Sequence, residues 1–108
     1  MKIKKYNKLV RDRIPEIIES DGKTCVIETL SKEKYLWMLD AKMDEELREY
    51  HLEHNIEELA DLLEVIYSAV KARGYTDEEF ERVRKNKARE RGTFDKRILL
   101  KEVIEPEE

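Results

Sequence analysis

Apolar residues recur at helical spacing in two long segments of this chain. Between residues 31 and 53, Tyr35, Leu36, Leu39, Met43, Leu47 and Tyr50 share an arc of about a third of the circumference, with residues set roughly 100° apart. Between residues 55 and 74, Leu59, Leu62, Leu63, Val65, Ile66, Ala69 and Val70 make a wider arc of about half the circumference. Local signals mark the ends. Ser31 is placed to cap the first helix and Asn55 the second, while Gly74 suits the left-handed position that closes a helix. Thr76 and Glu79 form a capping box that opens a third long helix, expected to run to about Arg91-Gly92. Pro15 fits the first turn of a short helix that stops near Asp21-Gly22. Residues 1–12, basic and partly apolar, are expected to form an extended arm. TCVIETL at 24–30 is β-rich but isolated, so it is at best a short strand or an extended crossing. The tail carries one apolar run, ILLKEVI, and an acidic end expected to fray. The fold class predicted is all-α: an antiparallel helix hairpin or bundle with an extended N-terminal arm.

Composition agrees with that reading. Of 108 residues, 44% are charged, and there are three glycines and two prolines, a balance that favours long helices over sheet. The length implies one domain, and no linker or low-complexity tract interrupts it. A net charge of −4 argues against a general binder of nucleic-acid polymers. Cys25 stands alone, so no internal disulfide can form. The N-terminus lacks the apolar run of a signal peptide, and no segment reaches membrane-spanning length. A cytoplasmic protein with no membrane partner is expected.

The residues 45–61, EELREYHLEHNIEELAD, break the amphipathic pattern twice in the same way. Glu46 falls inside the apolar arc of the first long helix and Glu49 just outside its edge. Glu58 falls inside the arc of the second, with Asp61 at its edge. Glu45, Glu57 and Glu64 project away from these arcs. A tight turn at His54-Asn55 makes the two helices an antiparallel hairpin. The midpoint of 49 and 58 coincides with that of 46 and 61, so Glu49 faces Glu58 and Glu46 faces Asp61. Four carboxylates then occupy a layer about 4.5 Å tall at 1.5 Å per residue. Glutamate-rich helical faces are ordinarily solvated, but these four enter a core edge, where mutual repulsion and desolvation both disfavour them. A hard divalent cation, Mg²⁺ or Mn²⁺, resolves the conflict and keeps open positions for phosphate oxygens.

EELRE followed by EELAD resembles the ExxE…ExxD metal motif of the all-α nucleoside triphosphate pyrophosphatases, the superfamily of MazG, the dimeric dUTPases and phosphoribosyl-ATP pyrophosphohydrolase. YNKLVRDRIPEIIESDGK at 6–23 and KARERGTFDKRILL at 87–100 resemble the head and tail of a small MazG-like, phosphoribosyl-ATP pyrophosphohydrolase-like branch, so the likeness covers almost the whole chain. It implies Mg²⁺-dependent cleavage between the α and β phosphates of a nucleotide, with Glu46, Glu49, Glu58 and Asp61 as metal ligands and catalytic residues. Glu45 matches the extra glutamate that often precedes the first motif. Only eight residues separate Glu49 from Glu58, fewer than in many MazG sequences. That implies a tight hairpin with little insertion; because neighbouring segments in the superfamily often help to form the substrate pocket, nucleotide selectivity does not transfer.

A triphosphate needs further cations. Lys8 and Arg11 in KLVRD, and Lys87 and Arg91 in KARERG, are the candidates for phosphate binding, the latter two sharing a helix face at i, i+4. Trp37 and Tyr67 lie off the apolar arcs, where burial in a dimer or against the arm competes with base stacking. His51 and His54 suit cap and turn roles, since a hard oxygen site does not need imidazole. Cys25 is expected to pack. The wide arc of the second helix points to a homodimer or higher homo-oligomer. The expected function is clearing of nucleoside triphosphates or related nucleotides. The alternatives are the phosphoribosyl-ATP step of histidine biosynthesis and, in a different class, a non-catalytic helical module with a structural ion.

Overall fold

The computed structural model describes residues 1–107; the final residue of the acidic tail, Glu108, lies outside them. Among the described residues four helices succeed one another: α1 (Ile14–Ser20), α2 (Lys32–Glu53), α3 (Ile56–Ala72) and α4 (Asp77–Arg91). Among the described residues there is no strand, and no helix is long and apolar enough to cross a membrane. The chain is all-α.

The packing divides into two units, Met1–Asp77 and the residues from Glu78 on. The first contains α1, α2 and α3. Its organising feature is the packing of α2 on α3, which are joined only by His54 and Asn55 and so double back on each other. Leu39 of α2 and Val65 of α3, 4% and 8% exposed, are its buried apolar residues. Glu46, at 8%, is buried as deeply as Val65. α4, which lies in the second unit from Glu78 on, contributes no fully buried side chain, and Lys87 and Arg91 are both exposed.

The helix boundaries follow from local chemistry. The Lys34 amide donates to Ser31 Oγ at 3.3 Å, and the Glu58 amide donates to Asn55 Oδ1 at 2.9 Å, so both predicted caps form. At the end of α3, Gly74 takes φ +93°. Its amide donates to the Lys71 carbonyl at 2.9 Å, and the Tyr75 amide to the Val70 carbonyl at 3.1 Å. Those two bonds are the paired closure of a Schellman motif, and they satisfy carbonyls that the helix leaves open. His54 ends α2 at φ +51°, its amide donating to the Tyr50 carbonyl at 2.7 Å and its ring lying edge-on to Tyr50 with centroids 5.4 Å apart. The expected turn role for this histidine is realised.

Residues 24–30 form no strand. With no neighbour to share its hydrogen bonds, an isolated β-prone run stays an extended crossing, and Val26 and Ile27 remain exposed. Residues 1–11 likewise carry no regular secondary structure. This arm does not cover Trp37, which is 72% exposed; the alternative of burial against the arm is overturned, because the arm's contacts run to the carboxylates instead. Cys25 is half-buried with its thiol 3.9 Å from the Pro15 carbonyl, a packing position.

Candidate metal centre

The site is built on the first two turns of α3 and the middle of α2. Asn55 starts α3 at the right residue, so Glu58 and Asp61, three apart, rise on one face. Across the two-residue turn, Glu46 of α2 reaches the same space. Glu46, Glu58 and Asp61 each offer an oxygen, and these oxygens all lie within 4.8 Å of one another. Such a set spans the diameter of a carboxylate-bound divalent ion, whose oxygens sit about 2.1 Å from the centre for Mg²⁺.

Two observations fit this set to a cation. Glu46 is nine-tenths buried, and its Oε2 has no hydrogen-bond partner among the described residues. Glu58 Oε2 is also buried and unpartnered. Orphaned carboxylate oxygens facing other carboxylates are strongly unfavourable unless something positive meets them. The Glu58 carboxyl is accordingly pushed above its ordinary value, first by desolvation and then by the charges of Glu49, Asp61, Glu46 and Glu53.

Of the four expected ligands, three converge. Glu49 stands outside the set of three and is exposed, and its charge acts on Glu58 more strongly than that of any other carboxylate.

Cations line the rim. Arg11 Nη2 lies 2.7 Å from Asp61 Oδ1, and Lys8 Nζ lies 3.0 Å from Glu45 Oε1. The arm therefore brings both of its expected phosphate-binding cations to the carboxylate layer. Lys8 is held above its usual range by the hydrogen bond and charge of Glu45, with smaller help from Glu49 and Glu46. Lys87 and Arg91 belong to the second unit and remain on α4.

Two participants were missed or misplaced by sequence reasoning. Glu45 was expected to project into solvent. It is half-buried instead, because Lys8 and Lys42 both reach it. Burial favours its neutral form, but the hydrogen bonds and charges of Lys8 and Lys42 outweigh that and hold its carboxyl below the usual range. Lys42 itself was not singled out. Its Nζ lies 3.3 Å from Glu46 Oε1 and 3.4 Å from Glu45 Oε2, with only 17% of its side chain exposed. The signal was present in the spacing: a lysine three and four residues before an EE pair shares their helix face.

No family model matches the chain, and no solved structure matches it. Part of the chain is similar to an uncharacterized protein of Mycolicibacterium smegmatis (strain ATCC 700084 / mc(2)155), with 61% identity over 41 residues, 38% of this chain and 42% of that protein. The match thus spans less than half of the relative.

Proposed function

We propose that this protein is a Mg²⁺-dependent nucleotide pyrophosphohydrolase, cleaving a nucleoside triphosphate or related nucleotide to a monophosphate and pyrophosphate. The observation that carries the reading is the convergence of Glu46, Glu58 and Asp61 within 4.8 Å, two of them with buried, unpartnered oxygens. The head, motif and tail resemblance to the all-α nucleoside triphosphate pyrophosphatases also supports it.

In this reading Glu46, Glu58 and Asp61 hold the ion. Bound there, it would supply Lewis acidity at the phosphate oxygens and would make an attacking water more acidic. Lys42 keeps Glu46 oriented by occupying its Oε1, which leaves Oε2 for the metal. Lys8 and Arg11 meet the distal phosphates, Arg11 with a fork of donors and Lys8 as a point charge. Glu49 is available either as a fourth metal ligand or as the acceptor of the attacking water's proton.

The chain is further proposed to associate as a homodimer or higher oligomer. Leu59 and Leu63 of α3 and Leu47 of α2 are 45%, 46% and 41% exposed, although all three belong to the apolar arcs. Light scattering with size-exclusion chromatography measures the mass directly.

The deciding experiment is a panel of nucleoside triphosphates and phosphoribosyl-ATP, assayed with Mg²⁺ for pyrophosphate release. Cleavage that is lost in a folded Glu58→Ala variant supports the enzyme. Cleavage of phosphoribosyl-ATP alone selects the histidine-biosynthesis alternative. No cleavage, with a Glu58→Ala variant that unfolds, selects the non-catalytic module with a structural ion.

A further inference from the structure

We propose that Arg11 is an exchangeable counter-ion of the site. A divalent cation entering among Glu46, Glu58 and Asp61 displaces the Arg11 guanidinium from Asp61 and frees it to receive an anion brought in with the ion. This rests on the metal-centred reading above and adds an order of events to it.

The cations at the layer are of two kinds. Lys42 is held fast: it lies on the same helix as its partners Glu45 and Glu46, and its side chain is 17% exposed against 10% for Glu46. Arg11 is not. Its side chain is 57% exposed and that of Asp61 42%, and it comes from an arm without regular secondary structure. An exposed pair of this sort holds by about fivefold at most, because water screens it and both side chains lose freedom to form it.

Asp61 is the carboxylate the two cations must share. It accepts from Arg11 at 2.7 Å and also belongs to the set of three converging oxygens. A dication on Asp61 confronts the guanidinium across one carboxylate. The ion competes with the guanidinium for the charge of that one carboxylate, and the exposed pair is the weaker of the two contacts. The nine-tenths-buried Glu46, with its unpartnered Oε2, gives the ion a reason to enter that Arg11, paired only with Asp61 in this layer, does not satisfy.

Lys8 is untouched by this exchange. Its partner Glu45 lies outside the set of three, so the arm stays tethered at Lys8 while Arg11 turns away three residues later. The released guanidinium is then beside the ion, unpaired, and suited to a phosphate.

Calorimetric titration of Mn²⁺ alone into the full chain tests the exchange, using wild type, Arg11→Gln and Arg13→Gln. Arg13 is the control: it removes the same charge two residues away, but its partner is Glu16 at 3.6 Å. Arg11→Gln is expected to bind Mn²⁺ about fivefold more tightly than wild type, and Arg13→Gln within twofold of wild type. Inorganic pyrophosphate titrated into the Mn²⁺-saturated proteins is expected to bind about tenfold more weakly to Arg11→Gln. Equal Mn²⁺ affinity in all three proteins, or equal tightening in both variants, overturns the exchange and leaves the metal site standing. Unchanged pyrophosphate affinity overturns the anion-receiving role. Absence of Mn²⁺ binding in all three overturns the metal-centred reading and the exchange together.

Discussion

Arg11 and Asp61, fifty residues apart in sequence, meet at 2.7 Å on the rim of the carboxylate layer. That pair and the neighbouring Lys8–Glu45 pair fix the unstructured head of the chain to the helical hairpin. Both are solvent-accessible, so they position the arm more than they stabilise the fold. Arg11→Ala is expected to cost less than about 1 kcal/mol by urea denaturation while lowering the rate of pyrophosphate release at least tenfold. A large loss of stability would show that the arm is structural instead.

Glu46 is a buried carboxylate in an apolar arc, and in the metal-free protein it is a defect. Replacement by leucine removes the orphaned oxygen and leaves Lys42 paired with Glu45. Glu46→Leu is therefore expected to stabilise the metal-free protein by about 1 kcal/mol, and to abolish both metal binding and catalysis. Thermal unfolding in a chelator, beside calorimetry with Mn²⁺, measures the two effects. Destabilisation in the chelator would sink the idea that function is held here at the expense of stability.

Glu58 gives the metal-free protein an unusual pH dependence. Its carboxyl is raised in the folded state, so the folded chain binds that proton more tightly than the unfolded chain does. Stability then rises as pH falls through the folded-state pKa, and is lost as pH rises through it. Glu45 acts oppositely but lower, since its depressed carboxyl contributes stability that disappears only as pH falls through its folded value. Lys8, raised, loses its contribution only in alkali, as pH climbs through its folded value. From neutrality into mild acid, stability of the metal-free protein is expected to increase, and Glu58→Gln to flatten that increase. Saturating Mg²⁺ should reverse the slope, because the ion binds the deprotonated carboxylates.

Asn55 connects local structure to the site. Its side chain accepts from the amide of Glu58 itself, so the cap fixes the first turn that carries a metal ligand. Asn55→Ala is expected to cost about 1 kcal/mol of stability and to weaken Mn²⁺ binding as well. Asn55→Asp, which retains the cap, should restore both. Denaturation and calorimetry on the two variants separate a capping role from one in the site.

His54 occupies the left-handed region between α2 and α3 at φ +51°. A β-branched residue is strained there, so His54→Val is expected to destabilise by about 1–2 kcal/mol, whereas His54→Gly stays near wild type. Equal losses in both variants would show that the contact with the Tyr50 ring, not the backbone, sets the cost.

The sequence by itself determined the helices and most of their ends, because those depend on residues near one another in the chain. Ser31, Asn55 and Gly74 act through hydrogen bonds spanning a few residues, and each does what its type predicts. Helical periodicity also placed Glu46 inside the core edge, and the two-residue turn set Asp61 opposite it; that Glu58 joins these two, and Glu49 does not, came from the tertiary structure. What the sequence did not determine depends on contacts distant along the chain or on side-chain length. The arm could be read as extended and basic, but not as ending at Asp61 and Glu45. Glu45, outward on a helical wheel, is drawn into the site because Lys8 arrives from 37 residues away and Lys42 reaches along its own helix. A wheel records the direction of Cβ and nothing of where a flexible charged tip finds its partner. Tertiary structure decided which cations face the carboxylates, and it left Glu46 with one oxygen satisfied and one bare.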